Sequence, residues 1–572
     1  MSPHPIPSLS GFNPIMSRRV LFGGATAVAA AGVLSACGSS SSKTEHKASE
    51  TPFYEINEQD PSKLKQGGTL NLSTYSLGPD FNRFSQNGSS TSVSETMGII
   101  AGAGIWRSTF KGEDELDPNY CLGFEAKEVD GKITAEVRLN PKAVFNDGTP
   151  IDIDALKATW QIQRDPEGAY KIGAAGIYEF IESVEAIDGD RYHARVVFKT
   201  AHNPVKGLLF GGILHPAMLD INLFNEGFVD NPHPELGCGP FTLAPNGWNS
   251  SEKTFTAVPN DKWWGEKPLL DRIIWREMGD EAERAAFKNG ELDSIGFAGL
   301  ATYNAVKGQP GVQIRTGQSL GVINLQFNPT RVTDTALRRA VFAAVDRSQL
   351  AKVKFGQINW EEPLTGSLIA MPFQKGYQNN MPSNPGAEAA AKILEAAGYS
   401  KSGDYYAKDG KTAGFSITYF GSDATSLAQF QNLEQQLKAA GIKLEQDNQP
   451  QSQFNSVMGA KQYDCAFSGW GIGADPADSV QYFYTSEINE GVGDPELDKY
   501  IASIYEKESH EEQLKMAAEA EKQHMEKVAI YFPYANGPSY VAVKEKLANY
   551  GPSLFATSYT DPKRWVNVGW QN

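Results

Sequence analysis

The chain has 572 residues, with 52 Lys+Arg against 68 Asp+Glu and a formal net charge of −16. That balance excludes broad electrostatic binding to nucleic acid or anionic lipid, and an apolar content of 40% with 29 Phe, 22 Tyr and 10 Trp excludes disorder over most of the length. One compact core does not serve a chain this long, so two or three lobes are expected.

The first predicted element is an export signal. "MSRRVLFGGATAVAAAGVLSAC" opens at Met16, carries Arg18 and Arg19, runs on in small apolar residues and closes at Cys37. A basic start, a short apolar centre and a small-residue exit make a secretory signal, and the run falls short of the ~20 apolar residues of a membrane span. Ser17-Arg18-Arg19-Val20-Leu21-Phe22 resembles a twin-arginine signal, and Leu34-Ser35-Ala36-Cys37 resembles the lipobox of bacterial lipoproteins. The resemblance implies a signal peptide over 1–36 and lipidation of Cys37. Residues 37–67, dominated by Ser, Lys, Glu and Pro, then read as a disordered tether.

"GGTLNLSTYS" predicts a first strand, two glycines followed by alternating Leu70 and Leu72. Residues 111–235 are β-rich: "KITAEVRLN" and "RYHARVVFK" alternate and are bounded by Asp-Gly turns, a strong hairpin signal. Beyond about residue 320 the texture changes. "TDTALRRAVFAAVDRSQLAKVKF", "NPGAEAAAKILEAAGY" and "TSLAQFQNLEQQLKAAG" have helical periodicity after capping residues, and "GFSITYF", "GIKLEQD" and "YDCAFSGW" between them read as strands. Such alternation predicts an α/β lobe with a partly parallel sheet.

Motifs for chemistry fail on context. Gly317-Gln-Ser319-Leu-Gly321 matches a nucleophile elbow, but the following "VINLQFN" alternates like a strand where a helix is required. His510-Glu511 lacks the second histidine of a zinc site, since position 514 is Leu. Asp152-Ile-Asp154 lacks the rest of a calcium loop, and Asp154 is expected to cap the helix "ALKATWQIQ". Gly102-Ala-Gly104 lacks the rest of a dinucleotide fingerprint, and Ser40-Ser-Ser-Lys43 sits in the tether. Cys121, Cys238 and Cys465 match no zinc spacing and allow at most one disulfide. No metal, no cofactor and no enzymatic activity are expected.

Longer blocks carry more. "VRLNPKAVFNDGTPIDIDALKATW", with Phe145, Asp147, Gly148, Pro150 and Asp154, is similar to a signature block of the bacterial family 5 solute-binding proteins, which serve ABC importers of oligopeptides, dipeptides and nickel. "GCGPFTL", "LLDRIIWREMGDEAERAAFKNGELD", "FNPTRVTDTALRRAVFAAVDRSQLAK", "AKILEAAGY" and "GWGIGADPAD" continue the family's series in order, from about residue 68 to 570. The resemblance implies an α/β, two-lobe periplasmic-binding-protein fold (type II, cluster C) with a hinged ligand cleft. Lobe I would take 68–110, 236–318 and 538–572, a β-rich insert in it 111–235, and lobe II 319–537. A short peptide or similar solute would be captured in the cleft and delivered to ABC permease subunits with cytoplasmic ATPases. An oligosaccharide, a metal chelate or another solute is the alternative, and a secreted lipoprotein hydrolase is a remoter one. The protein would be a monomer, lipid-anchored on the extracytoplasmic face of the cell membrane.

By the same resemblance the ligand contacts are Ser73, Thr74, Tyr75 and Ser76 after the first strand, Ile105 and Trp106, Phe327 and Asn328, and the loop Trp470, Gly471, Ile472, Gly473. Peptide-binding members place an Asp three residues after the cleft Trp; here that position is Gly473, without charge. Asp475 is the nearest acid. Pro476 directly after it suits a helix start, so Asp475 is expected to cap rather than to anchor an amine.

Overall fold

The computed structural model describes residues 54–572 apart from 103, 109–113, 166–167, 174–175, 200–208, 298, 359–363, 422–423, 451–452, 474, 508 and 553–561. The signal peptide, Cys37 and residues 37–53 of the tether lie outside the described residues; residues 54–67, expected as tether, are instead tied to the body, with the Glu55 N–H donating to the Thr316 carbonyl and the Lys65 N–H to the Trp570 carbonyl.

Leu70 and Leu72 alternate inward along Thr69–Thr74, which pairs in parallel with Arg272–Glu277. Thr254–Pro259 and Phe241–Asn249 complete this four-stranded sheet. Trp275, Phe255 and Trp565 fill its core. A three-stranded antiparallel sheet stands next to it, in the order Ser294–Phe297, Pro538–Lys544, Val312–Gln318. Asp293 ties the two: its backbone N–H donates to the Asn71 carbonyl, and its carboxylate accepts from the Asn71 N–H at 2.6 Å.

Cys121–Val129, Lys132–Leu139, Asp190–Phe198 and Ile181–Ile187 form a separate antiparallel sheet with its own core. Two of the three Asp-Gly pairs make its tight turns, while the third, Asp147-Gly148, lies outside the sheet within an isolated Val144–Pro150 bridge. Asp130-Gly131 and Asp188-Gly189 all have positive φ, 53° and 75° in the first, 52° and 75° in the second, which matches the twist of the flanking strands. The helix packed on this sheet, Ile153–Gln163, is capped by Asp152 and not by Asp154. Asp152 is extended and accepts from the Asp154 N–H, whereas Asp154 lies in the first turn, where its charge suits the helix dipole.

The α/β lobe has a five-stranded mixed sheet in the order Lys443–Gln449, Gly414–Phe420, Cys465–Gly471, Gly321–Phe327, Tyr531–Ala535. Gly414–Phe420 runs parallel to both its neighbours, and the remaining pairs are antiparallel. One face carries Thr335–Ala344, Arg347–Phe355 and Ala424–Ala439; the other carries Pro476–Tyr484, Pro495–Ile504 and His510–Lys527. The single helical stretch expected over 335–355 is two helices, because Asp346 turns extended and caps afresh, accepting from the Ser348 N–H.

Two chain segments pass between the sheets side by side. Val312–Gln318 leads through Ser319 and Leu320 into Gly321–Phe327, and Tyr531–Ala535 leads through Asn536 and Gly537 into Pro538–Lys544. Each strand pairs with its counterpart on both sides of the crossing. The G-x-S-x-G match is therefore a strand-to-strand passage with no helix after Ser319. Cys121, Cys238 and Cys465 are free, buried thiols.

Candidate functional site

The strand Cys465–Gly471 runs antiparallel to Gly321–Phe327, so its C-terminal end returns to the crossing. The Ile472 N–H donates to the Leu320 carbonyl at 2.8 Å, which pins the following loop to the passage between lobes. Gly471 and Gly473 are exposed, and the Gly473 carbonyl accepts from Gln374 Nε2 at 3.3 Å. The Trp470 ring is partly exposed. It stands edge-on to Tyr482 and Phe483, and its Nε1 donates to Gln326 Oε1 at 3.0 Å. It is thus one wall of a surface, fixed in orientation from behind.

Phe327 and Asn328 are not part of that wall. They lie at the other end of the same strand, about 20 Å away at ~3.4 Å per residue. Phe327 is 1% exposed between Phe342 and Phe415. The Asn328 amide is used up locally, donating to the Lys461 carbonyl and accepting from the Thr330 N–H and hydroxyl. Of the first-strand residues, Ser73 and Thr74 are buried and the Ser73 hydroxyl is bonded to Glu283, while Tyr75 is 57% exposed and Ser76 half-buried. Ile105 is fully buried in the core of the β-rich unit. Trp106 is buried edge-on to Phe124, and its indole Nε1 has no acceptor among the described residues.

Asp475 caps the helix Pro476–Tyr484, accepting from the Ala477 N–H at 2.9 Å. The capping expectation therefore matches its geometry. The charge missing from the Trp470 loop is carried by two residues not singled out in the sequence. Asp478 sits in the first turn of the same helix, half-buried. Asp114 begins the strand Asp114–Leu116, which pairs with Trp106–Ser108. In that register Asp114 projects on the same face as Trp106, since cross-strand partners share a face. Burial, together with the Asp475 and Asp114 carboxylates, pushes the Asp478 carboxyl up to about 7. Burial raises Asp475 as well, and Asp114 adds to it against the pull of His510, whose Nε2 is 3.5 Å away. Three carboxylates, one from the strand Asp114–Leu116 and two from the α/β lobe, thus lie within electrostatic reach of each other. The second acid of "GADPAD" was the available signal for Asp478; "KGEDELD" offered none that distinguishes Asp114 from its neighbours.

Among the described residues there is no group of three His, Cys, Asp or Glu arranged to hold a metal ion. No helix among them is long and apolar enough to cross a membrane.

Residues 122–491 match the model of bacterial extracellular solute-binding proteins, family 5 middle domain. The chain is 28% identical over 555 residues to the oligopeptide-binding protein OppA of Mycobacterium tuberculosis strain H37Rv, covering 93% of this chain and 91% of that one. Its fold is similar to the periplasmic EDTA-binding protein EppA, with a TM-score of 0.79 at 21% identity, covering 89% of this chain and 98% of that one. It is also similar to the oligopeptide-binding protein AppA of Bacillus subtilis in complex with a nonapeptide, with a TM-score of 0.66 at 19% identity, covering 89% and 100%. The family binds solutes rather than transforming them. The chain belongs to the bacterial extracellular solute-binding proteins of family 5, with a two-lobe α/β fold and the role of binding a solute and delivering it to a transporter.

Proposed function

We propose that the solute is a short peptide with a free amine, held in the cleft between the Trp470–Gly473 loop and the paired strands Trp106–Ser108 and Asp114–Leu116, and passed to an ABC permease. Lobe I would comprise 68–110, 236–318 and 538–572 with its insert 111–235, and lobe II 319–537. The observation that carries this reading is the convergence of Asp114, Asp475 and Asp478. Like charges gathered in a half-buried position raise one another's pKa, and a cation seated among them relieves both the repulsion and the partial desolvation. An ammonium is such a cation. The unaccepted indole N–H of Trp106, on the same face of that strand pair as Asp114, supports a carbonyl as its neighbour. Tyr75 would meet ligand from the end of the first strand. The 28% identity to an oligopeptide-binding protein over nearly the whole chain supports the peptide class.

The test is calorimetry with trialanine and N-acetyltrialanine. Trialanine is expected to bind at least about tenfold more tightly, and Asp478→Asn to abolish the difference. Equal binding of the two peptides would remove the amine reading and favour a non-peptide solute. The lipobox supports anchoring at the membrane beside the permease: Cys37→Ala is expected to move the protein to the soluble fraction with its melting temperature unchanged.

A further inference from the structure

A second charged group stands apart from those carboxylates. Arg83 follows the first strand, and its guanidinium lies 4.7 Å over the Phe84 ring. Its Nη2 donates to the Gly102 carbonyl at 3.0 Å, and its Nε is buried without an acceptor among the described residues. No carboxylate pairs with it among the described residues; the charges it senses are Cys238 and Tyr120, and burial holds the Cys238 thiol up at about 12, so it stays neutral. Asp80, the buried acid of the same loop, is committed to the Ser85 hydroxyl and the Asn82 N–H.

Arg83 is half-buried as a residue with its Nε enclosed, and the two fully buried guanidiniums show how a structural arginine is satisfied in this fold. Arg315 donates to Gln313 Oε1 and to the carbonyls of Ile56, Tyr550, Glu545 and Leu547. Arg338 donates to the carbonyls of Val528, Ala529 and Val332 and to the Thr335 hydroxyl. Among the described residues Arg83 has one acceptor. Its side chain also lines a cavity of about 40 Å³ beneath the helix Thr91–Ala101, walled by Phe84, Met97, Ala101, Ile213 and Leu236, with no acid among the lining residues. A water needs about 10–15 Å³ of such space, so a carboxylate fits. Gly212 leaves the room. A Cβ there would stand 2.5 Å from the Phe84 ring and 3.2 Å from Arg83 Nη2.

We infer that Arg83 is an anion anchor: its Nε–H and Nη–H edge takes a carboxylate at the cavity beneath Thr91–Ala101. A guanidinium presents these donors as a planar fork that matches two carboxylate oxygens, and stacking on Phe84 holds the plane while leaving the edge open. Burial lowers the Arg83 pKa, the direction that a bound anion reverses. The carboxylate belongs either to the captured solute or to a separate small anion, and the chemistry is the same. This inference stands on the cavity and does not require the amine site.

The experiment compares trialanine with trialanine amide, and sodium acetate with sodium chloride at equal ionic strength, on the purified protein and on Arg83→Gln. If the carboxylate is the solute's own, trialanine binds about tenfold more tightly than its amide, and Arg83→Gln loses that preference. If it is a separate anion, acetate raises the melting temperature of the unmodified protein but not of Arg83→Gln, and the two peptides bind alike. Should Arg83→Gln not fold, Arg83→Lys, which keeps the charge but not the fork, is expected to lose the same preference. Inert acetate with equal peptides, or a carboxylate preference that survives in the variants, overturns the anchor. N-acetyltrialanine reads the amine site separately, so the two readings fail independently.

Discussion

Asp478 is where the charge balance of the cleft is most exposed to experiment. Its folded pKa of about 7 lies above the ordinary 3.8. Between about pH 4 and 7 the folded, ligand-free protein therefore holds a proton that the unfolded chain has released. Stability from this group is full at low pH and lost as pH rises through 7. Asp478→Asn, which stays neutral, is expected to flatten that slope and to be more stable than the parent at pH 8; urea unfolding at pH 5, 6.5 and 8 reads the difference. Ligand binding runs the opposite way. A cation among these carboxylates favours their ionised forms, so trialanine affinity should rise from pH 5.5 to 8, with proton release measurable by calorimetry in buffers of different ionisation enthalpy. A pH-independent affinity without proton release would place the ligand's charge elsewhere.

At the scale of the element, the helix Pro476–Tyr484 combines two acids with different duties. Asp475 caps through one oxygen, so Asp475→Ala should cost about 1 kcal/mol of stability, while Asp475→Asn keeps an oxygen in place and should cost far less. Melting temperatures of the two variants separate capping from charge. The neighbouring helix His510–Lys527 holds a long segment through one buried side chain. Glu521 accepts from the Leu368 N–H, the Tyr484 hydroxyl and the Asn380 amide. Burial raises its pKa, with the hydrogen bonds opposing. Glu521→Ala would strand two buried donors and the half-buried Asn380 amide and is expected to destabilise by about 3 kcal/mol, at ~1–3 kcal/mol per unsatisfied group. A loss under 1 kcal/mol in urea unfolding would mean that water replaces the carboxylate without strain.

For the whole molecule, the paired crossings at Ser319-Leu320 and Asn536-Gly537 are where the chain passes from one sheet system to the other. Gly537 has φ of 91°, and a Cβ there would stand 2.5 Å from the Phe355 ring. Gly537→Ala therefore meets both a backbone cost of about 1–2 kcal/mol and a clash with the α/β core. The expected result is a lower melting temperature and a smaller change in radius of gyration on ligand binding, measured by small-angle scattering. Unchanged values would show that the crossing is free to shift away from Phe355.

What the sequence determined by itself were the local periods and their order. Alternation with Asp-Gly turns specified the β-rich sheet, because turn chemistry at residues 130–131 and 188–189 sets its own hairpins. Helix-period stretches between short apolar strands specified the α/β lobe, and Asp475 before Pro476 specified a cap, since capping acts over two or three residues. The family itself was legible from the ordered blocks. Tertiary structure decided the rest. That Phe327 lies in the core while Trp470 lines a wall depends on which end of an antiparallel pair meets the crossing. That Asp114 reaches Asp475 and Asp478, more than 350 positions away, depends on how two sheets face each other. That Arg83 lacks the acceptors of Arg315 and Arg338 depends on which carbonyls surround it. Local pattern records the secondary structure a segment will adopt; burial and charge are set by what arrives from far along the chain, and no short stretch of sequence carries that.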